Sequence, residues 1–101
     1  MIPKDKPIHS KAIRNSARGQ SCTLQLSGCD GGGETTVLAH NPYMTRGMGQ
    51  KISDLWCCYS CFNCHSLIDG AIGYEVEFFW AMVETQRRML RAGLIILKGG
   101  K

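Results

Sequence analysis

The pattern of hydrophobic and polar positions changes from strand-like to helical along the chain. Residues 35–40 are β-branched and apolar, and together with residues 55–59 they predict the two strands of a hairpin. Just after Cys64 the apolar spacing becomes helical for one or two turns. A much longer helical pattern covers residues 74–92 and ends at Gly93, a residue typical of helix C-termini. The pattern therefore predicts a small α+β domain with a long C-terminal helix.

Two apolar stripes run along the long C-terminal helix. The first, which its spacing marks as the core face, contains Val76, Phe79, Trp80, Val83 and Leu90. The second lies on a neighbouring face and contains Phe78, Met82 and Met89. We favour one broad core face. A helix that is apolar over so wide an arc can also bind a second copy of the chain, so a homodimer through the 74–92 helix is the alternative.

The N-terminal residues predict an arm followed by a short basic helix. Two prolines make residues 1–10 an extended, flexible arm, and the folded domain is expected over residues 11–101. Ser10 is placed to cap a helix over residues 11–18, which has few apolar side chains. This helix therefore packs weakly or lies against a negatively charged partner.

Length and composition exclude several classes of protein. The chain has 101 residues, which allows one domain. It contains no apolar run of the roughly 18 residues that a membrane-spanning helix needs, and the charged N-terminus lacks the apolar core of a secretory signal. We therefore expect a cytoplasmic protein.

The net charge of +4 is concentrated in the N-terminal half. Residues 1–51 contain seven Lys and Arg against three Asp and Glu, whereas the remaining residues contain five of each sign. A basic group that contacts a phosphate releases condensed counterions, so this asymmetry favours a nucleic acid as partner. A merely soluble basic surface would give the same charge.

Six cysteines in so short a chain are the strongest chemical signal in the sequence. Cys61 and Cys64 are separated by two residues, the spacing that lets two thiolates share one tetrahedral zinc ion. A short strand and turn between Cys22 and Cys29 can bring a second pair of sulfurs together. Four thiolates would close a structural zinc site, and zinc binding would supply folding energy that a small core lacks.

Two other uses of the cysteines stay open. Cys58 is also separated from Cys61 by two residues and competes with Cys64 for a place in the site. We favour Cys64 because Cys58 lies in the apolar 55–59 segment, where a cysteine acts as a small hydrophobic residue. The plain alternative is that all six cysteines are buried free thiols.

A histidine and a carboxylate form a second candidate metal site. His65 and Asp69 are four residues apart, which places both on one face of a helix, and such a pair can hold a divalent ion with open positions. Solvated helix residues are the simpler interpretation. His40 favours the ion, because it ends the strand that pairs with the one leading into the zinc turn.

Taken in order, these motifs resemble those of the HNH endonucleases, and more narrowly those of the small YbcO-like prophage proteins, a family assigned to the nucleases. The matching motifs are residues 17–22, Val37-Leu38-Ala39-His40, Asp54-Leu55, Cys61-Phe62-Asn63-Cys64-His65 and Ile68-Asp69. The resemblance covers the chain from about residue 11 to the C-terminus.

The resemblance implies a zinc-stapled treble-clef domain with a ββα-metal motif, and a phage-encoded endonuclease that hydrolyses the phosphodiester bonds of DNA. His40 matches the histidine that activates the attacking water, and Asp54 lies near the position of the central Asn. His65 matches a metal-binding histidine, and Asp69 lies where a further ligand is often found. Catalytic Mg²⁺ or Mn²⁺ is implied in addition to the structural zinc.

The basic helix completes this functional hypothesis. Lys11, Arg14 and Arg18 would hold the backbone phosphates of the nucleic acid without reading its sequence. The sequence departs from the family at Ala39, where many HNH motifs have a metal ligand. A catalytically inactive, zinc-dependent nucleic-acid-binding or recombination accessory module is therefore the alternative. A third interpretation is a zinc-stapled protein that binds a protein partner through the second apolar stripe.

Overall fold

The computed structural model describes residues 8–44, 53–69 and 73–99. The elements in chain order are helix α1 (Lys11–Ser16), strand β1 (Val37–His40), a 3-10 turn (Pro42–Met44), strand β2 (Cys57–Ser60), helix α2 (Phe62–Ile68) and helix α3 (Glu75–Arg91). This arrangement confirms the predicted α+β class and the long C-terminal helix. Most of the predicted N-terminal arm, residues 1–7, lies outside the described residues.

Strands β1 and β2 form the predicted antiparallel hairpin. Its register places Ala39 opposite Cys58 and His40 opposite Cys57. Strand β2 begins later than the apolar pattern indicated, so Asp54 lies in the turn that leads into it. The register thus brings the last residue of β1 next to the first residue of β2 and close to that turn.

Helix α1 is short and is attached to β2 by its buried face. The hydroxyl of Ser10 accepts a hydrogen bond from the Ile13 amide at 3.2 Å, which confirms the predicted N-cap. Ile13 and Ala17 are buried in a cluster with Tyr59. The hydroxyl groups of Ser16 and Tyr59 are 2.8 Å apart and share a hydrogen bond. These contacts fix the orientation of the exposed basic side chains of α1.

The predicted core face of α3 is wrong. The buried residues of this helix are Phe78, Ala81, Thr85 and Met89. Val76 and Trp80, which the spacing placed in the core, are 66% and 63% exposed, and Phe79 and Leu90 are also exposed. These four exposed residues are called the outer face of α3 below. Because Phe78 and Met89 are buried, the second stripe cannot serve as a partner surface, which contradicts the third interpretation.

A backbone hydrogen bond explains why α3 packs on the face that contains Thr85. The amide of Tyr59, in strand β2, donates to the Thr85 hydroxyl at 3.0 Å, and the carbonyl of Tyr59 accepts from the Thr23 amide at 2.7 Å. A buried backbone group without a partner costs free energy, so a polar residue is required at this point of the core. Hydrophobic spacing does not detect such a residue.

None of the described helices has the length and apolar character needed to cross a membrane.

Candidate metal centre and candidate active site

Four cysteines converge at the base of the hairpin. The sulfur atoms of this group all lie within 4.8 Å of one another, and its members are Cys22, Cys29, Cys61 and Cys64. These are the four residues that the spacing predicted. Cys58 is fully buried within the neighbouring hydrophobic cluster and is absent from the group, which agrees with its interpretation as a core residue.

Backbone amides surround the sulfur atoms of the cysteine cluster. The Leu26 amide donates to the Cys64 sulfur, the Gly31 amide to the Cys29 sulfur, and the Cys64 amide to the Cys61 sulfur, each at 3.3 Å. Hydrogen bonds of this kind favour thiolates over thiols. Four thiolates at this separation fit one tetrahedral zinc ion. The donor set therefore fits a structural zinc centre.

The backbone on either side of the Cys22–Cys29 segment comes into close contact. Ser21 and Gly32 form an isolated bridge, and Gly32 has a φ of +85°. A Cβ atom at position 32 would lie 2.6 Å from the Cys22 amide nitrogen, so only glycine fits. No strand forms over residues 23–26, where the sequence suggested one. The cysteine pair is held by turns instead.

His40 and Asp54 form a second polar group at the other end of the hairpin. The Nε2 atom of His40 lies 2.9 Å from Oδ1 of Asp54. The Asp54 side chain is 1% exposed, whereas the His40 side chain is 41% exposed. A buried carboxylate thus orients a histidine whose ring reaches solvent. The two residues that the resemblance placed in the catalytic site are brought together.

The surroundings of Asp54 favour its ionised form. Burial by itself would raise the pKa of this carboxyl group, but the hydrogen bonds and charges around it outweigh burial and hold the pKa below its ordinary value. The Ser10 amide donates to Oδ2 at 2.7 Å, and the Arg14 Nε lies 3.4 Å from the same oxygen. His40 forms its hydrogen bond with the other oxygen, Oδ1. Asp54 is therefore a fixed negative charge behind the exposed histidine.

A cleft of about 550 Å³ opens in front of His40. Its walls come from α1, β1 and the residues next to them, and they consist of Arg14, Asn15, Ala17, Arg18, Thr36, Val37, Leu38 and His40. Two of the three predicted phosphate-binding residues, Arg14 and Arg18, therefore share one cleft with the histidine. Lys11 is exposed on the first turn of α1 and does not line the cleft.

The structure places Cys57 beside His40 and Asp54, a contact that the sequence did not predict. Its sulfur lies within 4.8 Å of ligand atoms of His40 and Asp54, and the residue is fully buried. Burial, followed by the negative charge of Asp54, raises the pKa of the Cys57 thiol to about 12. The thiol accordingly donates a hydrogen bond to the Ser53 carbonyl at 3.5 Å. Only the strand register could have revealed this neighbour.

His65 and Asp69 lie on α2 and at its C-terminal cap, one helical turn apart. The Asp69 amide donates to the His65 carbonyl at 3.1 Å, and both side chains are exposed. Within residues 8–44, 53–69 and 73–99, these two belong to no group of three or more clustered metal ligands. They therefore offer two accessible ligands rather than a closed site, and neither residue lines the cleft in front of His40.

The fold and the two clusters define a class: a small α+β protein with four clustered cysteines that could hold a metal ion, and a basic cleft that contains a histidine–carboxylate pair. The chain belongs to the family described as "Putative nuclease YbcO", whose family model matches residues 11–100. This match confirms the resemblance to the YbcO-like proteins and supports hydrolysis of nucleic acid.

One solved structure is similar to this chain. It is described as the structure of a putative bacteriophage protein from Escherichia coli str. K-12 substr. MG1655, and it shares 30% sequence identity. The similar region covers 81% of this chain and 100% of the other, with a TM-score of 0.61. No curated protein matches the chain.

Proposed function

We propose that the protein is an HNH-type, metal-dependent endonuclease that hydrolyses phosphodiester bonds of DNA and acts in the cytoplasm of a phage-infected or lysogenic host. One observation carries the proposal: the oriented His40–Asp54 pair opens into the same cleft as Arg14 and Arg18. A nuclease requires a proton acceptor next to a position where a phosphate is held, and this cleft supplies both.

His40 is the proposed general base. Because Asp54 is ionised and can only accept, Nε2 of His40 must carry the proton in their hydrogen bond. The other ring nitrogen, Nδ1, is then left with a free lone pair. A neutral imidazole held in this tautomer can take a proton from a water molecule near pH 7. Asp54 is the positioning residue that maintains the tautomer.

Arg14 and Arg18 are the proposed phosphate contacts, with Lys11 extending the basic surface of α1. The Arg14 side chain is 53% exposed although it is paired with Asp54, so its guanidinium remains accessible to a ligand in the cleft. Arginine binds phosphate oxygens through two parallel hydrogen bonds, which fixes the backbone beside the histidine. Such contacts position the substrate without reading its sequence.

The metals of the proposal have different roles. Zinc in the cysteine cluster holds the fold together. His65 and Asp69 are the proposed protein ligands of the catalytic ion, and two accessible ligands suit Mg²⁺ or Mn²⁺, which are usually bound by one or two protein groups together with substrate phosphates and water. When bound, such an ion would neutralise the charge that develops on the phosphate and the leaving oxygen. Because neither ligand lines the cleft, this role requires the DNA backbone to extend from the cleft to α2.

The alternative is a nucleic-acid-binding or recombination accessory module without catalysis, and Ala39 favours it. Ala39 is fully buried opposite Cys58, so the residue before His40 offers no ligand to an ion. Incubation of the purified protein with supercoiled plasmid and Mg²⁺ or Mn²⁺ distinguishes the two functions. We expect nicking or linearisation that EDTA stops and that added Mg²⁺ restores. Plasmid binding in a gel shift without any cleavage would favour the module.

We also propose a second copy of the chain as a partner for the outer face of α3. The exposed Phe79 and Trp80 rings pack edge to face 5.2 Å apart, in the middle of the exposed stripe. Acidic residues occupy the first turn of α3 and basic residues its last turn. Two copies of α3 that meet antiparallel about a two-fold axis would bury this stripe and pair opposite charges at both ends.

A further inference from the structure

The group of His40, Asp54 and Cys57 has a composition that general-base catalysis does not require. One ligand atom from each residue lies within 4.8 Å of the other two, and the three atoms are a nitrogen, an oxygen and a sulfur. The residues come from three separate segments: the end of β1, the turn before β2 and the first position of β2. The proposed mechanism uses the histidine and the carboxylate but leaves the sulfur without a role.

This donor set is selective among metal ions. A thiolate beside an imidazole selects zinc, cobalt and similar transition metals, because Mg²⁺ is a hard ion that binds thiolate poorly. One carboxylate and one thiolate together balance the charge of a divalent ion, so the filled group is electrically neutral. Neutrality matters because Asp54 and Cys57 are both buried, where an unbalanced charge is costly.

The carboxylate is already held in place for a ligand. Oδ2 of Asp54 is occupied by the Ser10 amide and Arg14, so Oδ1 is the atom turned toward His40. The ion can reach the group from the cleft, because His40 lines the cleft and is partly exposed. A water molecule on the cleft side would complete a tetrahedral arrangement of four ligands.

We propose that His40, Asp54 and Cys57 form a second, inhibitory site for zinc or a related transition metal. Binding of the ion breaks the hydrogen bond between Nε2 of His40 and Asp54 and puts the metal on Nε2. The proton of that nitrogen moves to Nδ1, and the thiol proton of Cys57 is released to solvent, so one proton leaves for each ion bound. Nδ1 then carries a hydrogen and cannot accept a proton from water. The metal site is independent of the proposed nuclease function, and only the inhibition rests on it.

A matched pair of variants separates this site from the cysteine cluster. Cys57 and Cys58 are adjacent in β2 and fully buried. Cys58 lies in the hydrophobic core cluster beside the cysteine cluster, but it belongs to neither group of potential metal ligands. Alanine at either position removes one buried thiol from the same strand. Only Cys57→Ala should change the second metal site.

The test titrates Co²⁺ into protein whose cysteine cluster is already loaded with one zinc ion. We expect the wild type and Cys58→Ala to bind one further ion, with a near-ultraviolet absorption band from a thiolate bound to cobalt. In Cys57→Ala the affinity for this ion should fall at least about 100-fold, because even loss of a residue that only supports a ligand costs about 10–100-fold. The additional band should disappear. His40→Ala, at an exposed position, should lose the same ion if Cys57→Ala fails to fold.

Two results would overturn the proposal: a wild type that binds no ion beyond the first, or a Cys57→Ala variant that is folded and gives the same additional band. Cleavage assays form a separate arm. In the presence of Mg²⁺, micromolar zinc should inhibit the wild type and Cys58→Ala, and Cys57→Ala should need at least about 100-fold more zinc for the same inhibition. A second ion bound to a protein without cleavage activity would support the metal site and count against the nuclease.

Discussion

The cluster of four cysteines differs from the group of His40, Asp54 and Cys57, called the His40 cluster below, in composition, in burial and in the contacts that hold it. The cysteine cluster contains sulfur alone, and backbone amides from the turns around it donate to its sulfur atoms. The His40 cluster mixes three kinds of ligand, is open to a cleft and is held by a carboxylate with charged partners. A closed, uniform set suits a structural metal, whereas an open, mixed set suits chemistry. We therefore expect substitutions in the cysteine cluster to destabilise the fold and substitutions in the His40 cluster to slow the reaction.

The largest effect is expected from Cys61→Ala. Cys61 caps α2 as well as joining the cluster, so its loss removes one zinc ligand and one helix cap together. Structural zinc contributes about 10–16 kcal/mol of apparent free energy in small zinc peptides, which exceeds the stability of most domains of this size. We expect the variant to lose zinc and cooperative unfolding, as measured by metal analysis and circular dichroism.

Cys58→Ala is the control for this prediction. It removes a buried thiol of the same chain and should retain one zinc ion and a cooperative unfolding transition. A Cys61→Ala variant as stable as Cys58→Ala would show that the cluster is not a source of folding energy.

Asp54→Asn should have the next largest effect, on rate rather than on fold. The Ser10 amide and Arg14 both donate to the same side of this residue, so the oxygen of the new amide side chain would face them and its NH₂ group would face His40. His40 would then accept at Nε2 and carry its proton at Nδ1, the tautomer that cannot act as the base. We expect plasmid cleavage to fall about 10²–10⁴-fold. Cleavage at the wild-type rate would contradict the role of Asp54.

The same substitution has a predicted pH signature. Because the pKa of Asp54 is lowered in the folded protein, its carboxylate stabilises the fold above the unfolded pKa of about 3.9, and that stability is lost as the pH falls through the folded pKa. The stability difference between wild type and Asp54→Asn should therefore shrink as the pH is lowered from 7 to 3. Urea unfolding at each pH measures this difference in stability. Acid also releases zinc, but this affects both proteins alike.

Substitutions in the walls of the cleft should have smaller effects, on binding. Arg14→Ala and Arg18→Ala should each make the slope of log K against log salt concentration less steep by about 0.9 for duplex DNA, since each removes one phosphate contact. Arg14→Ala should also slow cleavage, because Arg14 supports Asp54, whereas Arg18→Ala should slow it only at subsaturating DNA. Gel shifts at several salt concentrations test the slopes. Unchanged slopes would place the DNA elsewhere.

Trp80→Lys should have the smallest effect on either cluster. Trp80 is 63% exposed on the outer face of α3, so the substitution puts a charge into the proposed dimer interface without touching the core. We expect sedimentation to show dimers for the wild type and monomers for the variant, with equal zinc content. Glu84→Gln, on the same helix but outside the stripe, is the control. A wild type that is monomeric at high concentration would refute the dimer.

The parts of the molecule that could be predicted from the sequence depend on local spacing. The cap at Ser10, the hairpin, the long helix and the four-cysteine group all follow from residues that are close in the chain, or from two such pairs. The pairing of His40 with Asp54 could be reached only through a resemblance, because the 13 residues between them form no periodic pattern.

Two features could not be predicted, for physical reasons. The predicted core face of α3 is wrong because the buried face contains Thr85, a polar residue that accepts a hydrogen bond from β2. Cys57 was missed because its neighbours are set by strand register, and a shift of one residue would have turned it to the opposite face. Hydrophobic periodicity contains neither kind of information.

The most direct test of the central claim is single-turnover cleavage by His40→Ala at saturating protein, with zinc content, unfolding and DNA affinity measured on the same sample. His40 is 41% exposed and lies outside the cysteine cluster, so its replacement should leave one zinc ion in that cluster and keep unfolding and DNA affinity within error of the wild type. If His40 is the general base, the rate should fall by about 10²–10⁴-fold. A His40→Ala variant that is folded, binds DNA and cleaves it at the wild-type rate would contradict this assignment.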